Sequence, residues 1–305
     1  LPGPITLSIG VFDGVHLGHR TVLGCALDDV RESGGTAVAL TFDPHPARVL
    51  RPDGAPRLLT STAHKARLIA ELGFPYLLVV RFDSAFAAQA PEEFVCQLVN
   101  ACRPLRKICV GERWTFGRNR TGSVDLLRSM GSELGFSVVE TPAVLMDGAP
   151  VSSTRIRNAV QNGDLATARR LLGRDYTVLG TVVRGEQIGR KLGFPTANLR
   201  AHNEQFPPDG VYAVRVQLDD ATLPGVANIG YRPTVATGEP ERRLEVHLFD
   251  FEGDLYDRDL DVDFIAQLRG EKKFAGMDEL REQIARDVAT ARELLSTSGS
   301  AATAP

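Results

Sequence analysis

The sequence predicts an α/β domain built on a parallel sheet, followed by an antiparallel β domain, barrel or sandwich, closed by one helix. Three observations carry this. Over about the first 175 residues, short β-branched runs alternate with helical stretches. After Tyr176, short strands are separated by Gly/Pro turns with no helix between them. Near the end, Leu280, Ile284, Val288, Ala291 and Leu295 recur at helical spacing. A chain of 305 residues is also long for a single core.

Taken in order, the first half offers strands at Thr6–Val11, Thr36–Phe42, Tyr76–Phe82, Lys107–Gly111 and Phe136–Glu140. Helices are expected between them, at Arg20–Ser33, Ala63–Leu72, Pro91–Asn100 and Ser123–Leu134. Near-continuous apolar strands separated by helices describe a parallel sheet covered on both faces. Ligands in such sheets sit beyond the carboxyl ends of the strands. There the chain places His16 and His19, Asp43-Pro44-His45-Pro46, and Gly111-Glu112, after the first, second and fourth strands. In the second half the expected strands are Thr177–Arg184, Val211–Leu218, Glu245–Phe249 and Asp261–Phe264, with the closing helix at Met277–Leu295. The domains are therefore expected at residues 1–175 and 176–295, with a disordered tail of small and polar residues from Ser296 to Pro305.

Composition narrows the function classes. A hydrophobic share of 43% and a charged share of 24% are those of an ordinary globular protein. A net charge of −3 gives no polycationic surface, so nucleic acid is not an expected partner. No apolar run is long enough to span a membrane. No secretory signal is visible, although the chain opens at Leu1 rather than Met, so an address could precede it. Cys25, Cys96, Cys102 and Cys109 form no Cys-x-x-Cys pair and are expected to be buried free thiols, consistent with a reducing cytoplasm. His64 and His202 belong to no motif and are expected at the surface.

The run Ile9-Gly10-Val11-Phe12-Asp13-Gly14-Val15-His16-Leu17-Gly18-His19 is the first chemical signal. Gly14 permits a sharp turn, and Gly18 removes a side chain that would block a ligand. A helix beginning near His19 offers free N–H groups and its positive end to an anion, and two imidazoles add donors. From the chain's own composition, His-x-Gly-His is expected by chance on the order of 0.01 times. Later, Val151-Ser152-Ser153-Thr154-Arg155-Ile156-Arg157 precedes a helix. Such hydroxyls alone are most often a helix cap. Together with the histidines, they and Arg155 suit a clamp on phosphates.

In the second half, Gly185 and Gly189 mark a loop whose backbone can approach phosphates. Thr196 and Asn198 stand two apart, so on an extended segment their oxygens face one side, as hard ligands suited to Mg²⁺ shared with nucleotide phosphates. No Gly-x4-Gly-Lys-[Ser/Thr] occurs, which excludes a P-loop.

The paired histidine and Ser-Ser-Thr-x-Arg elements resemble the nucleotidyltransferase superfamily, with its Rossmann-like domain. Class I aminoacyl-tRNA synthetases share the histidine motif, but Lys-Met-Ser-Lys-Ser is absent here. The stretch Gly180–Leu199, with its Pro195-Thr196-Ala197-Asn198, resembles the riboflavin kinase signature. Gly210-Val211-Tyr212-Ala213, Asn228-Ile229-Gly230-Tyr231-Arg232-Pro233-Thr234, Glu245-Val246-His247 and Arg269-Gly270-Glu271-Lys272-Lys273-Phe274 follow in the same order. Together the halves resemble the bifunctional prokaryotic riboflavin kinase/FMN adenylyltransferase (FAD synthetase) family over nearly the whole chain.

The resemblance implies two steps. An antiparallel barrel would phosphorylate riboflavin with ATP and Mg²⁺, with Glu245 as base and Thr196 and Asn198 at the metal. The first domain would then join FMN to the adenylyl group of ATP, giving FAD and pyrophosphate. His16, His19 and Arg155 would be its catalytic residues, with Gly10, Phe12, Gly14, Gly18, Ser152, Ser153 and Thr154 around the nucleotide. Gly185 and Gly189 would serve phosphate in the kinase half. Phe42, His45, Pro46, Arg113, Phe116 and Arg269 would lie near flavin or set specificity; His45 alone reads equally well as a turn residue. Substrates would be small molecules, in a cytoplasmic enzyme with room for weak homo-oligomerisation.

Two segments depart from the family pattern: Leu255-Tyr256-Asp257 carries Asp where Gly is common, which reads as a turn variation, and the end of the fourth strand departs further. Val110-Gly111-Glu112-Arg113-Trp114-Thr115-Phe116-Gly117 carries Arg113 where a short Asp or Asn is usual, and Trp114 where Phe is. Either Arg113 swings into solvent, or it alters nucleotide or flavin choice, or it weakens adenylyl transfer. A flavin-binding regulator with a dead transferase is the remaining class, and the intact histidine and Ser-Ser-Thr elements argue against it.

Overall fold

In the computed structural model five strands make one parallel sheet and six make a closed antiparallel barrel. The structure describes residues 1–185, 189, 192–233 and 240–297. Residues 186–188, 190, 191 and Thr234 of the family-like stretches, and 298–305 of the expected tail, lie outside these. By contacts the chain divides into one compact unit of residues 1–58 and 62–153 and a second of 59–61 and 154–305.

The first unit runs β1 (Ile5–Ile9), α1 (Leu17–Ser33), β2 (Thr36–Asp43), α2 (Pro46–Leu50), α3 (Thr62–Glu71), β3 (Tyr76–Arg81), α4 (Ser84–Ala87), α5 (Pro91–Ala101), β4 (Leu105–Gly111), α6 (Val124–Leu134), β5 (Ser137–Thr141) and a small β6 (Leu145–Met146) and β7 (Ala149–Pro150) hairpin. The sheet order is β3-β2-β1-β4-β5, so the carboxyl ends of all five strands share one edge. The order reverses direction at β1/β4, where such sheets open a crevice. One face carries Ile5, Leu7, Ile9, Leu40 and Ile108 against Phe94, Leu98 and Leu127 of α5 and α6. The other carries Ala37, Ala39 and Cys109 against Leu23 and Ala26 of α1 and Ile69 of α3. β1 is buried on both sides, and its polar residues are bonded: Thr6 Oγ1 donates to Asp29 (2.5 Å) and Ser8 Oγ to the Val22 carbonyl (2.9 Å). Helix ends follow local chemistry; Ser123 caps α6 by accepting from Leu126 N, and Gly135 ends it at φ 84°.

The second unit opens with α7 (Ser153–Gln161, from Thr154 on) and α8 (Leu165–Leu172), then β8 (Tyr176–Val183), β9 (Ala197–Ala201), β10 (Gly210–Leu218), β11 (Ala221–Pro233), β12 (Pro240–Leu248), β13 (Asp259–Gly270) and α9 (Met277–Thr297). The barrel order is β10-β11-β12-β9-β8-β13. Tyr212, Val214 and Val216 are fully buried on one face of β10, with the Tyr212 and Phe264 rings edge to face at 5.3 Å. The alternate residues Val211 and Ala213 pack with Ala291 and Leu295 of α9. The stripe on α9 thus meets the barrel.

Several expectations need correction. β9 and β11 were not anticipated; β11 carries Pro224-Gly225, which reads as a turn. α1 begins at Leu17 rather than near His19, because His16 caps it. Ser296 and Thr297 continue α9 rather than starting a tail. His64 is buried, and His202 is half-buried with Nε2 2.8 Å from Thr181 Oγ1. The cysteines are free, but Cys96 is exposed and Cys25 half-buried, its sulfur 2.6 Å from that of buried Cys109.

Candidate active sites

In the first unit the segment between β1 and α1 is a tight, strained turn. Phe12 and Val15 hold φ of 51° and 41°, unusual for side chains with this bulk, and Gly14 holds 86°. A side chain at Gly10 would collide with the Phe12 ring, which is why glycine precedes it. The turn is tied down by Thr41 Oγ1, which donates to the Val11 carbonyl (2.9 Å), and by Ser153 Oγ, which donates to the Asp13 carbonyl (2.9 Å). His16 Nδ1 accepts from His19 N at 3.3 Å, and the two rings stack at 3.5 Å. Phe12 meets His19 edge-on at 5.4 Å. A Cβ at Gly18 would crowd the His16 ring at 3.2 Å. The sequence motif therefore becomes a stacked imidazole pair at a helix N-terminus, a ready anion site.

At the same sheet edge, His45 caps α2, its Nδ1 accepting from Ala47 N at 3.1 Å, and Pro46 begins that helix. Phe42 and Phe116 are buried in one aromatic run through Phe82, Phe86 and Phe94, capped by Trp114 stacked on Phe116 at 4.6 Å. Only Trp114 in that end of the run is half-open to solvent. Arg113 stands at φ 59° with its side chain 89% exposed, its backbone N–H donating to Glu140. A positive φ explains why a short Asp or Asn suits this position, and the exposure shows an arginine turned to solvent. Ser152 and Ser153 belong to this unit; Thr154, exposed, and Arg155, half-buried, stand in the first turn of α7 within the second unit.

In the second unit a cavity of ≈ 690 Å³ lies on the outer face of the barrel beside α9. Strand register builds its floor. Asn198 pairs with Glu245, Glu245 with Asn228, Asn228 with Val211, and Val211 with Arg269. Residues directly opposite share a face, so five strands present one row. Glu245, Asn228, Val211 and Arg269 all line the cavity, with Thr196 and Gly189 at its side. Arg269 is held by Asp287 of α9 through Nε (3.0 Å) and an Nη (2.9 Å), its guanidinium over Phe274. His247 Nδ1 lies 2.8 Å from the Pro195 carbonyl, bracing the segment that carries Thr196. Arg243, Arg269, Lys272 and Lys273 outnumber Glu245, Glu271 and Asp287 in the lining, which favours an anionic ligand.

The glycines and the proposed metal ligands meet. A Cβ at Gly185 would collide with the Asn198 amide, and one at Gly189 would collide with the Phe194 carbonyl and come within 3.1 Å of Thr196 Oγ1. Among the described residues no His/Cys/Asp/Glu cluster could hold a metal by itself. Neutral oxygens beside a cationic anion pocket fit Mg²⁺ carried largely by phosphate. Sequence reasoning had not assigned Asn228, His247 or Asp287, although the first two stand inside stretches it singled out.

Comparison with known proteins gives the frame for both sites. The family model described as FAD synthetase matches residues 2–155, and that described as riboflavin kinase matches residues 172–295. The bifunctional riboflavin kinase/FMN adenylyltransferase of Escherichia coli (strain K12) is 42% identical over 94% of this chain and 91% of its own. Those of Pseudomonas fluorescens and Bacillus subtilis (strain 168) are 40% and 38% identical, over 95% and 92% of this chain and 93% and 89% of theirs. A solved structure titled macrolide-efflux protein, from Streptococcus pneumoniae, aligns at a TM-score of 0.81 and 29% identity over 96% of this chain and 95% of that one. Among the described residues no helix is long and apolar enough to cross a membrane. Two family matches in tandem, with full-length relatives, favour the standard pair of activities over an altered first half. The chain belongs to the bifunctional riboflavin kinase/FMN adenylyltransferase family, its FAD synthetase half first and its riboflavin kinase half second.

Proposed function

We propose that the two steps divide between residues 1–175 and 176–295 and are carried by the residues assembled above. In the kinase step Glu245 accepts the proton of the ribityl 5′-hydroxyl as that oxygen attacks the γ-phosphorus of ATP, the bond to the β,γ-bridging oxygen breaks and ADP leaves. Thr196 and Asn198 would hold Mg²⁺, which when bound neutralises charge on the phosphates; Gly185 and Gly189 leave room for the backbone to approach them. Arg269, fixed by Asp287, orients flavin or its phosphate. The observation that carries this reading is the row Asn198–Glu245–Asn228–Val211–Arg269, most of it facing one cavity.

In the adenylyl step a phosphate oxygen of FMN attacks the α-phosphorus of ATP, and pyrophosphate leaves. The chemistry needs positioned positive groups more than a strong base. His16 and His19 supply them at the α1 N-terminus, with Ser152, Ser153, Thr154 and Arg155 as further donors to phosphate. Phe42, His45, Pro46 and Phe116 border the flavin, with Arg113 turned to solvent beside them. We place the enzyme in the cytoplasm, acting on small molecules and not on nucleic acid, with at most weak self-association.

Incubating the full chain with riboflavin, ATP and Mg²⁺, and resolving flavins by chromatography and mass, tests the assignment. FMN appearing first and FAD after it is the expected result. FMN alone would overturn the adenylyl assignment and direct attention to Arg113; omission of Mg²⁺ without loss of FMN formation would overturn the metal assignment.

A further inference from the structure

A lysine that belongs to none of the motifs lies beneath the histidine turn. Lys65, on α3, is 4% exposed. Its Nζ donates to Thr41 Oγ1 at 3.1 Å, and Thr41, fully buried, donates in turn to the Val11 carbonyl at 2.9 Å. Direction follows from chemistry. An ammonium can only donate, so it occupies a lone pair of the hydroxyl and leaves the hydroxyl proton for Val11. Val11 opens the turn whose Phe12 and Val15 sit at strained φ and whose His16 caps α1. The chain Lys65–Thr41–Val11 is therefore a directional anchor for that turn.

The charge matters as well. The charged groups acting on Lys65 are Asp13, buried in the turn itself, and Asp43, at the carboxyl end of β2; its helix neighbour His64 is also buried. Two carboxylates at the edge where a polyphosphate must approach would repel it. The ammonium, on which both carboxylates act, supplies one positive charge against them.

We propose that Lys65 is a positioning residue of the adenylyl-transfer site, holding the histidine turn through Thr41 and reducing the negative field of Asp13 and Asp43 so that triphosphate can bind. The proposal rests on the assignment of that step to the histidine turn. Burial lowers the lysine from its ordinary value, Asp13 and Asp43 pull it back, and it settles at about 8. The sign is fixed: the cation is complete below that value and is lost as pH rises through it. The neutral amine can accept from Thr41, which frees Val11.

The test uses the full chain, whose riboflavin phosphorylation is an internal control. Both activities are measured from about pH 6 to about pH 10 for wild type, Lys65→Met and Lys65→Arg, with Trp114 emission reporting the fold of the first unit. We expect Lys65→Met to lower adenylylation of supplied FMN by roughly 100-fold and leave phosphorylation unchanged. Wild type should lose adenylylation above about pH 8. Lys65→Arg, which keeps its charge, should restore most activity and lack that alkaline limb. Lys65→Met with wild-type adenylylation, or Lys65→Arg with an unchanged limb, would overturn the proposal. If Lys65→Met does not fold, the comparison of wild type with Lys65→Arg decides alone. A His19→Ala variant with wild-type adenylylation would instead overturn the assignment on which the proposal stands.

Discussion

The two sites are built by opposite means. The first unit gathers its histidines within one strand–turn–helix crossing, four positions of sequence beside a strained turn that local bonds hold in place. The barrel gathers Asn198, Glu245, Asn228 and Arg269 from four strands by register, with Val211 of a fifth completing the row. A local site depends on its turn and anchors; a register site depends on the integrity of a whole sheet. Damage to either should stay on its own side, and that separation is testable.

The largest effect is expected at Glu245. Glu245→Ala should lower riboflavin phosphorylation by about 10²–10⁴-fold, the usual contribution of a positioned base, while supplied FMN is still converted to FAD. Product-resolved assays on the two substrates check this; unchanged phosphorylation would remove Glu245 from the mechanism. His19→Ala should do the converse. Loss of one imidazole donor is expected to cost about 10²–10³-fold in FAD formation with FMN formation preserved. Loss of both activities in a folded variant would break the two-site comparison.

A third difference is in stability, and it runs in opposite directions with pH. Burial alone would raise Asp29 in the first unit, but hydrogen bonds from Lys107, Thr6 and Arg106 hold it down at about 2. Its ionised form stabilises the fold above about pH 4, and that contribution, about 2 kcal/mol, disappears as pH falls toward about 2. In the barrel, burial pushes Asp263 up to about 6, against hydrogen bonds from Thr177 and Gln217. That raised value favours the barrel below the ordinary carboxylate range, an advantage lost as pH rises through about 6. Asp29→Asn should therefore destabilise the first unit near pH 7 by about 2 kcal/mol, and Asp263→Asn should stabilise the barrel there by about 1–2 kcal/mol. Denaturation followed by the single tryptophan, Trp114, for the first unit and by far-UV dichroism for both reads the two separately. A pH-independent effect of either variant would contradict the account.

How much of this was legible in the sequence differs between the regions for the same reason. Short β-branched and apolar runs between helical stretches located the five parallel strands within two residues of their observed ends. His16 and His19 were legible because neighbours in space are neighbours in sequence. Asn228 and Asp287 were not, because their place beside Glu245 and Arg269 is a property of register and of how α9 lies on the barrel, neither of which leaves a local pattern. Lys65 was not singled out, and His64 was expected at the surface, because a buried helix face that mixes them with Leu68 and Ile69 has no purely apolar stripe.

The register row has one more consequence. On β12, Leu244 and Val246 face the barrel interior at 1% exposure each, and Glu245 between them faces out. A strand alternates strictly, so inserting or deleting one residue ahead of Glu245 within β12 would exchange a carboxylate for a leucine across the barrel wall. The sheet could still close while its chemistry was turned inside out. Changes of even length would preserve the face. The kinase half is thus protected by parity, and its lineage should tolerate length variation in loops and in pairs along this strand, and not in single steps.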